Sequence, residues 1–335
     1  MRKAGMRMAI AILLAAGTVG AARAVPPEQP AGHSELEEGE RLIRQRDWAA
    51  AESWFYRFVK DHPDNAEALR KAAVVELRRP GGDVVRARKY LERALKIEPD
   101  NPVGLILAAK LHEVKGEKAE TAKICDRLIE MGPGRSDPVR ASAVHMCRFI
   151  RGVLYEDAGD WDRAVELFQK VLEREVHHAY AEYELGQIAL ARGSKEEAAE
   201  HFRKAVEDLN RWAPIESWLY PSGRYAYVRE NASYELGRVL TELGRAEEAI
   251  AVLEPLFRQV ELRDKSRQRP QVAPKAPVER DPDVRFENAP YAYAEALAAA
   301  GRRKEAAKIF KAFSRMHLGD PELRQKARSR AKRLK

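Results

Sequence analysis

Seven times along the chain a small residue is followed at a set distance by a second small residue, and four positions later by a core-filling one. The pairs are Gly39 with Ala51, Ala73 with Ala87, Ala109 with Thr121, Gly152 with Ala164, Gly186 with Ala198, Gly237 with Ala249 and Ala294 with Ala306. Six share a spacing of twelve residues. The Ala73 pair is two longer, and the turn-forming Pro80-Gly81-Gly82-Asp83 within it takes up the difference. Side chains this small let two antiparallel helices approach closely where their axes cross. Phe55, Leu91, Cys125, Phe168, Phe202, Leu253 and Phe310 then fill the space beside each crossing. A repeat of this kind overrides the expectation of about two globular domains of ~150 residues each that length alone would suggest.

Punctuation falls at the same phase. Gly116, Gly159, Gly193, Gly244 and Gly301 lie between the two helical patterns of five pairs, where a residue free to take positive φ ends the first helix. Pro63, Pro99 and Pro133 close the first three pairs, in DHPDN, IEPDN and MGPGR. In these features the chain resembles the tetratricopeptide repeat family, whose helix-turn-helix unit recurs every ~34 residues. Residues 179–210, with YELGQIALARGSKEEAAEHFRKAV, match nearly every signature place, and seven copies cover most of residues 32–318. The resemblance implies an all-α fold: a right-handed superhelix of about seven repeats with a C-terminal capping helix. It also implies that the first helix of each pair lines a concave groove and that the groove holds a protein or peptide partner.

Departures from the repeat divide the chain further. Repeats one to six occupy residues 35–262. Thr121 and Cys125 stand in the third copy where Ala and a large apolar residue are usual, so looser packing is expected there. Nine extra residues separate the third and fourth copies, around Gly134 to Ala143. A longer insertion at about 211–228 carries Trp212, Trp218, Tyr220, Tyr225 and Tyr227, too aromatic for a solvated linker. It reads either as a partner-binding lobe or as a cover over a helix face. Residues 263–284 form a Pro-rich, charged stretch with no apolar period, expected to be a flexible connector. Residues 285–335 hold the seventh repeat and a basic helix whose Leu323, Ala327, Ala331 and Leu334 make a narrow apolar stripe, as an end cap requires.

Within each first helix, the residue three before the small one is expected to face the groove: Leu36, Arg70, Ile106, Phe149, Tyr183, Tyr234 and Tyr291. One turn on, Gln187 and Arg238 add hydrogen-bonding groups. The candidate partner site is therefore Phe149, Tyr183, Gln187, Tyr234, Arg238 and Tyr291, where aromatic rings give contact area at little cost in rotamer freedom. An extended peptide or a glycan would suit such a row, which leaves a protein adaptor and a polysaccharide-export accessory protein as alternatives. Packing of the same rings against neighbouring helices is the plainer reading. Members of the family that clamp a peptide carboxylate use Lys and Asn in the groove. Leu36, Glu40, Arg70 and Val74 stand at those places here, so the resemblance does not extend to that clamp.

Cys125 and Cys147 fall on helices that the family fold places side by side, so they are either a candidate disulfide or two buried free thiols. His177, His178 and Glu182 make a poor metal site, because adjacent side chains on a helix point ~100° apart and no third ligand is evident. No cofactor is expected. The sequence holds no GxSxG, HExxH, GxxxxGK[ST] or CxxCH, and its many acids sit beside Lys and Arg as helix-surface pairs, which favours a non-enzymatic scaffold.

The first 24 residues have Arg2, Lys3 and Arg7 before an apolar run from Ala9 to Ala22 and the small-x-small Ala22-Arg23-Ala24. They read as a signal peptide cleaved near Ala24, or else as a retained anchor, followed by a flexible 25–34. The expected location is periplasmic or secreted. Removing this segment takes the formal net charge from +8 to +4, and the last fourteen residues carry seven bases against one acid, so the body between is slightly acidic. Export argues against a nucleic-acid partner, and the basic C-terminus would give at most a peripheral membrane contact.

Overall fold

A computed structural model describes residues 35–134, 137–173, 178–216, 224–267 and 285–334, except for the side chains of 114, 178, 211–216, 224–227 and 267. The described residues are all-α, with consecutive helices packed in pairs and no strand. They divide into two compact units at the boundary between Val171 and Leu172. The N-terminal segments 1–24 and 25–34 lie outside the described residues.

The first unit holds four pairs: α1 (Glu37–Gln45) with α2 (Trp48–Asp61), α3 (Ala66–Arg78) with α4 (Val84–Ile97), α5 (Pro102–Lys115) with α6 (Lys118–Met131), and α7 (Pro138–Asp157) with α8 (Trp161–Leu172). The second holds α9 (His178–Ala191) with α10 (Lys195–Glu216), α11 (Arg224–Glu242) with α12 (Ala246–Arg267), a 3-10 turn (Arg285–Asn288), then α13 (Ala289–Ala299) with α14 (Arg303–Phe313) and a final α15 (Pro321–Arg333). Short polar residues start many of these helices. Asp47, Asn65, Asp83, Asn101, Asp137 and Asp320 each accept a hydrogen bond from a first-turn N–H, satisfying donors that the helix itself leaves open.

The spacing in the sequence has a direct steric cause. A Cβ added to Gly152 would lie 2.6 Å from the ring of Phe168, and one on Gly186 would lie 2.7 Å from Phe202. The same construction at Gly237 meets Leu253 at 2.3 Å, and at Gly39 it meets Trp54 at 2.6 Å and Phe55 at 2.7 Å. In each pair the large side chain of the second helix lies where a side chain on the first would otherwise be, and it is buried there. All five inter-helix glycines take positive φ, and in the first pair Arg46 holds the equivalent place at φ 58°.

Two departures resolve into helix. The extra residues after the third pair lengthen α7, which starts at Pro138 under the Asp137 cap and runs for twenty residues. The insertion at 211–228 is partly taken up by α10, which continues to Glu216, and by α11, which begins at Arg224. Trp218 and Tyr220 lie outside the described residues, as do the side chains of Trp212, Tyr225 and Tyr227.

The expected connector 263–284 needs correction at its start. Helix α12 runs on to Arg267, and Asp264 is buried, accepting hydrogen bonds from the backbone N–H of His317 at 2.7 Å and of Leu318 at 3.2 Å. Polarity misled here: a charged residue in a polar stretch reads as solvated, whereas this one holds the loop before α15. Residues 268–284 lie outside the described residues. The apolar stripe of α15 docks as expected, with Ala327 and Ala331 buried and Leu323 and Leu334 packed against the core of the second unit.

Candidate partner-binding surface

The six candidate site residues divide between the units. Phe149 lies on α7 in the first, half-buried, its ring 5.7 Å from that of Phe168. In that unit Leu36 and Ile106, expected at the groove, are core residues instead. Arg70 is largely covered and pairs with Glu98. An apolar side chain at a first-helix position goes to whichever neighbouring helix can bury it, and Leu and Ile have no polar tip to keep at the surface.

The second unit brings the other five together with partners that the sequence did not reveal. Tyr183 on α9 is half-buried, 5.8 Å from the Phe202 ring. Tyr234 on α11 is buried, and burial, helped by neighbouring Glu235, pushes its phenol up to about 12. Tyr291 on α13 packs edge-on to Phe310 at 5.2 Å, and burial, helped by neighbouring Glu295, raises the pKa of its phenol. Arg330 of α15 donates to Glu295, so the C-terminal helix reaches over the Tyr291 end of the row. The three tyrosines therefore pack on the second helix of their own pair or lie buried. Among the described residues these tyrosines do not form a continuous ladder of open ring faces, which sugar stacking would use.

What the second unit presents instead is a polar surface. Arg285 in the 3-10 turn donates to the Gln187 side-chain oxygen at 3.2 Å and stands 3.7 Å from Glu235. Arg238 donates to the other oxygen of Glu235 at 3.0 Å and lies 3.6 Å from Glu242, which also meets Lys195 at 3.0 Å. Glu235 is nearly covered, while about half of the Arg285 side chain and about two-fifths of the Arg238 side chain remain exposed. The Gln187 amide nitrogen is buried without a hydrogen-bond partner. Two guanidiniums anchored on one buried carboxylate keep their geometry and still offer donors outward, which suits recognition of peptide backbone carbonyls and acidic groups. Arg285 escaped the sequence reading because it adjoins the Pro-rich stretch. The available signal was Phe286 beside it, an apolar residue where the polar run ends.

Glu182 is bonded to His201 of α10 at 2.6 Å, and the His177 and His178 side chains lie outside the described residues. Among the described residues no group of three potential metal ligands occurs, and no helix is long and apolar enough to cross a membrane. Cys125 and Cys147 are free thiols, both buried.

Comparison with known proteins agrees with this architecture. A family profile described as tetratricopeptide repeat matches residues 36–102 and 151–210. A relative from Mus musculus, interferon-induced protein with tetratricopeptide repeats 2, is 28% identical over 137 residues, covering 39% of this chain and 26% of its own length. The chain thus spans about a quarter of the curated relatives it matches. Among solved structures, the Cut9–Hcn1 hetero-tetramer of the APC/C aligns with a TM-score of 0.52 at 14% identity, over 98% of this chain and 52% of that one. The type IV pilus biogenesis factor PilW aligns with a TM-score of 0.51 at 16% identity, over 66% and 90% of the two chains. At identities this low the structural likeness shows the fold alone.

Proposed function

The chain carries tetratricopeptide repeats, and from that premise we propose that it is a non-enzymatic scaffold of the cell envelope, exported through its first 24 residues, that holds a protein partner. Repeat proteins of this family act in general as platforms for protein interaction. The single observation that carries the reading is the surface built by Gln187, Arg238 and Arg285 around buried Glu235. Its donors are fixed by the fold rather than by the partner, which lowers the ordering cost of binding. The partner segment that fits is an extended peptide with backbone carbonyls and at least one acidic side chain.

The test is capture from envelope extracts by the chain beginning at Val25, beside a Gln187→Ala, Arg285→Ala variant whose helicity is confirmed by circular dichroism. A protein retained by the wild type and reduced at least tenfold on the variant supports the surface. Equal retention by both moves the interaction to another part of the molecule.

A further inference from the structure

The third and fourth pairs meet at α6 and α7, and this junction departs from the repeat on both sides. At the place that Phe55, Leu91, Phe168, Phe202, Leu253 and Phe310 fill elsewhere, α6 carries Cys125, a far smaller side chain. Four residues earlier Thr121 replaces the usual Ala, and its hydroxyl is satisfied internally, donating to the carbonyl of Glu117 at 3.0 Å. Both positions are fully buried. Cys147 of α7, the helix packed directly against α6, is also fully buried, and the two thiols lie near enough for Cys125 to raise the pKa of Cys147. These are the two cysteines of the chain, and they lie on neighbouring helices of this junction.

We propose that Cys125 and Cys147 are a built-in crosslink site, oxidised to a disulfide when the chain folds in an oxidising compartment, which fastens α6 to α7. The oxidant is a disulfide of the glutathione or thiol-oxidoreductase class. One cysteine thiolate attacks a sulfur of that disulfide, forming a mixed disulfide and releasing one thiol. The second thiolate then attacks the mixed disulfide at the protein sulfur, closing the Sγ–Sγ bond and releasing the other thiol. Two electrons pass to the oxidant, and the two cysteine protons end on its sulfurs.

Burial sets when this happens. The enclosed surroundings and the neighbouring Cys125 hold the Cys147 thiol well above its ordinary pKa, so the folded pair is a protonated, shielded dithiol that exchanges slowly. Crosslinking belongs to folding, when both sulfurs are accessible, and the finished unit keeps a record of the redox conditions under which it folded. In a stack where each pair contacts only its neighbours, an α6–α7 bond strengthens one link directly. The inference is independent of which protein the scaffold binds.

The experiment refolds the full chain from urea with oxidised and reduced glutathione, or with reduced glutathione alone. Each product is blocked with a maleimide under denaturing conditions and digested without reductant. The expected result from the first condition is a Cys125–Cys147 linked peptide lighter by two hydrogens than the unlinked pair, and a thermal midpoint raised by about 5–10 °C over the reduced chain. The Cys125→Ala, Cys147→Ala variant, measured alongside, is expected to melt at one temperature in both buffers. Quantitative maleimide labelling of both cysteines after oxidative refolding overturns the proposal, as does a linked chain that melts no higher than the reduced one.

Discussion

Arg330 of the last helix grips Glu295 of α13 with both sides of its guanidinium, its Nε donating to one carboxylate oxygen at 2.8 Å and Nη2 to the other. The same guanidinium stands 5.9 Å from the centre of the Phe310 ring. A helix with only a thin apolar stripe is thereby fastened along its side as well as beneath.

The two kinds of fastening differ in size. Arg330 is 41% exposed and Glu295 27%, so solvent screens the pair, and Arg330→Ala is expected to cost about 0.5–1 kcal/mol. Ala327 is fully buried under the same helix, and Ala327→Asp is expected to cost about 2–4 kcal/mol by burying an unpaired charge. Urea unfolding of the full chain followed by circular dichroism measures both. An Arg330→Ala cost as large as that of Ala327→Asp would show that the ion pair, not burial, holds the cap.

The contact between Gly186 and Phe202 can be tested as a pair. Gly186→Ala puts a methyl 2.7 Å from the ring and is expected to cost about 1–3 kcal/mol. In a Phe202→Leu background the narrower side chain gives way, and the cost of the same alanine is expected to fall by about half. Additive costs in the double-mutant cycle would mean that the two residues are not coupled.

Arg46 sits at φ 58°, where five other pairs use glycine. A left-handed conformation strains a side chain with a Cβ, so Arg46→Gly is expected to stabilise the chain by about 0.5–1 kcal/mol. It also removes a positive charge near Arg78, whose own charge is already penalised by burial and by Arg46. Gly193→Ala, at φ 82°, is the reverse control and is expected to destabilise by about 1 kcal/mol. Thermal unfolding midpoints decide both signs.

Glu230 on α11 carries a pH signature. Burial raises its pKa above the ordinary carboxylate value, while its bond with Gln259 acts the other way, and one of its oxygens is buried without a hydrogen-bond partner. A folded pKa above the unfolded one means that the folded state holds the proton more tightly. The resulting stabilisation is complete below the unfolded pKa, roughly pH 4.3, and is lost as pH rises through the folded value. Glu230→Gln mimics the protonated form, so the variant is expected to match the wild type in acid and to exceed its stability near neutrality. A gap between the two that does not change with pH would contradict this.

Export is checked directly. Expressed with its first 24 residues, the chain is expected to appear in the periplasmic or secreted fraction with Val25 as its N-terminus, as read by N-terminal sequencing. A full-length chain held in the membrane fraction would instead make those residues an anchor.

How much of this was legible in the sequence depends on how local the cause is. The pairing of Gly152 with Phe168 or Gly186 with Phe202 leaves a trace because both partners keep a fixed distance along the chain, and the five turn glycines declare themselves through φ. That Cys125 and Cys147 lie on neighbouring packed helices follows from the family fold. The surface was harder. Periodicity finds which side of a helix a residue occupies, but Tyr234 and Ile106 are covered by helices whose tilt no spacing encodes. Asp264 with His317, Asn231 with Phe286 and Arg285 with Gln187 join residues 53, 55 and 98 positions apart, and nothing in a polar stretch marks such partners beforehand.

Those long-range bonds bear on how the second unit tolerates alteration. Asp264 secures the end of α12 to the loop before α15, while Asn231 secures Phe286, whose ring also lies beneath Arg263. The chain on either side of residues 268–284 is thus moored separately to the same core. A single cut within that stretch would yield two pieces that remain docked as a noncovalent complex. The same property predicts that a reporter or an affinity handle inserted there leaves both moorings in place.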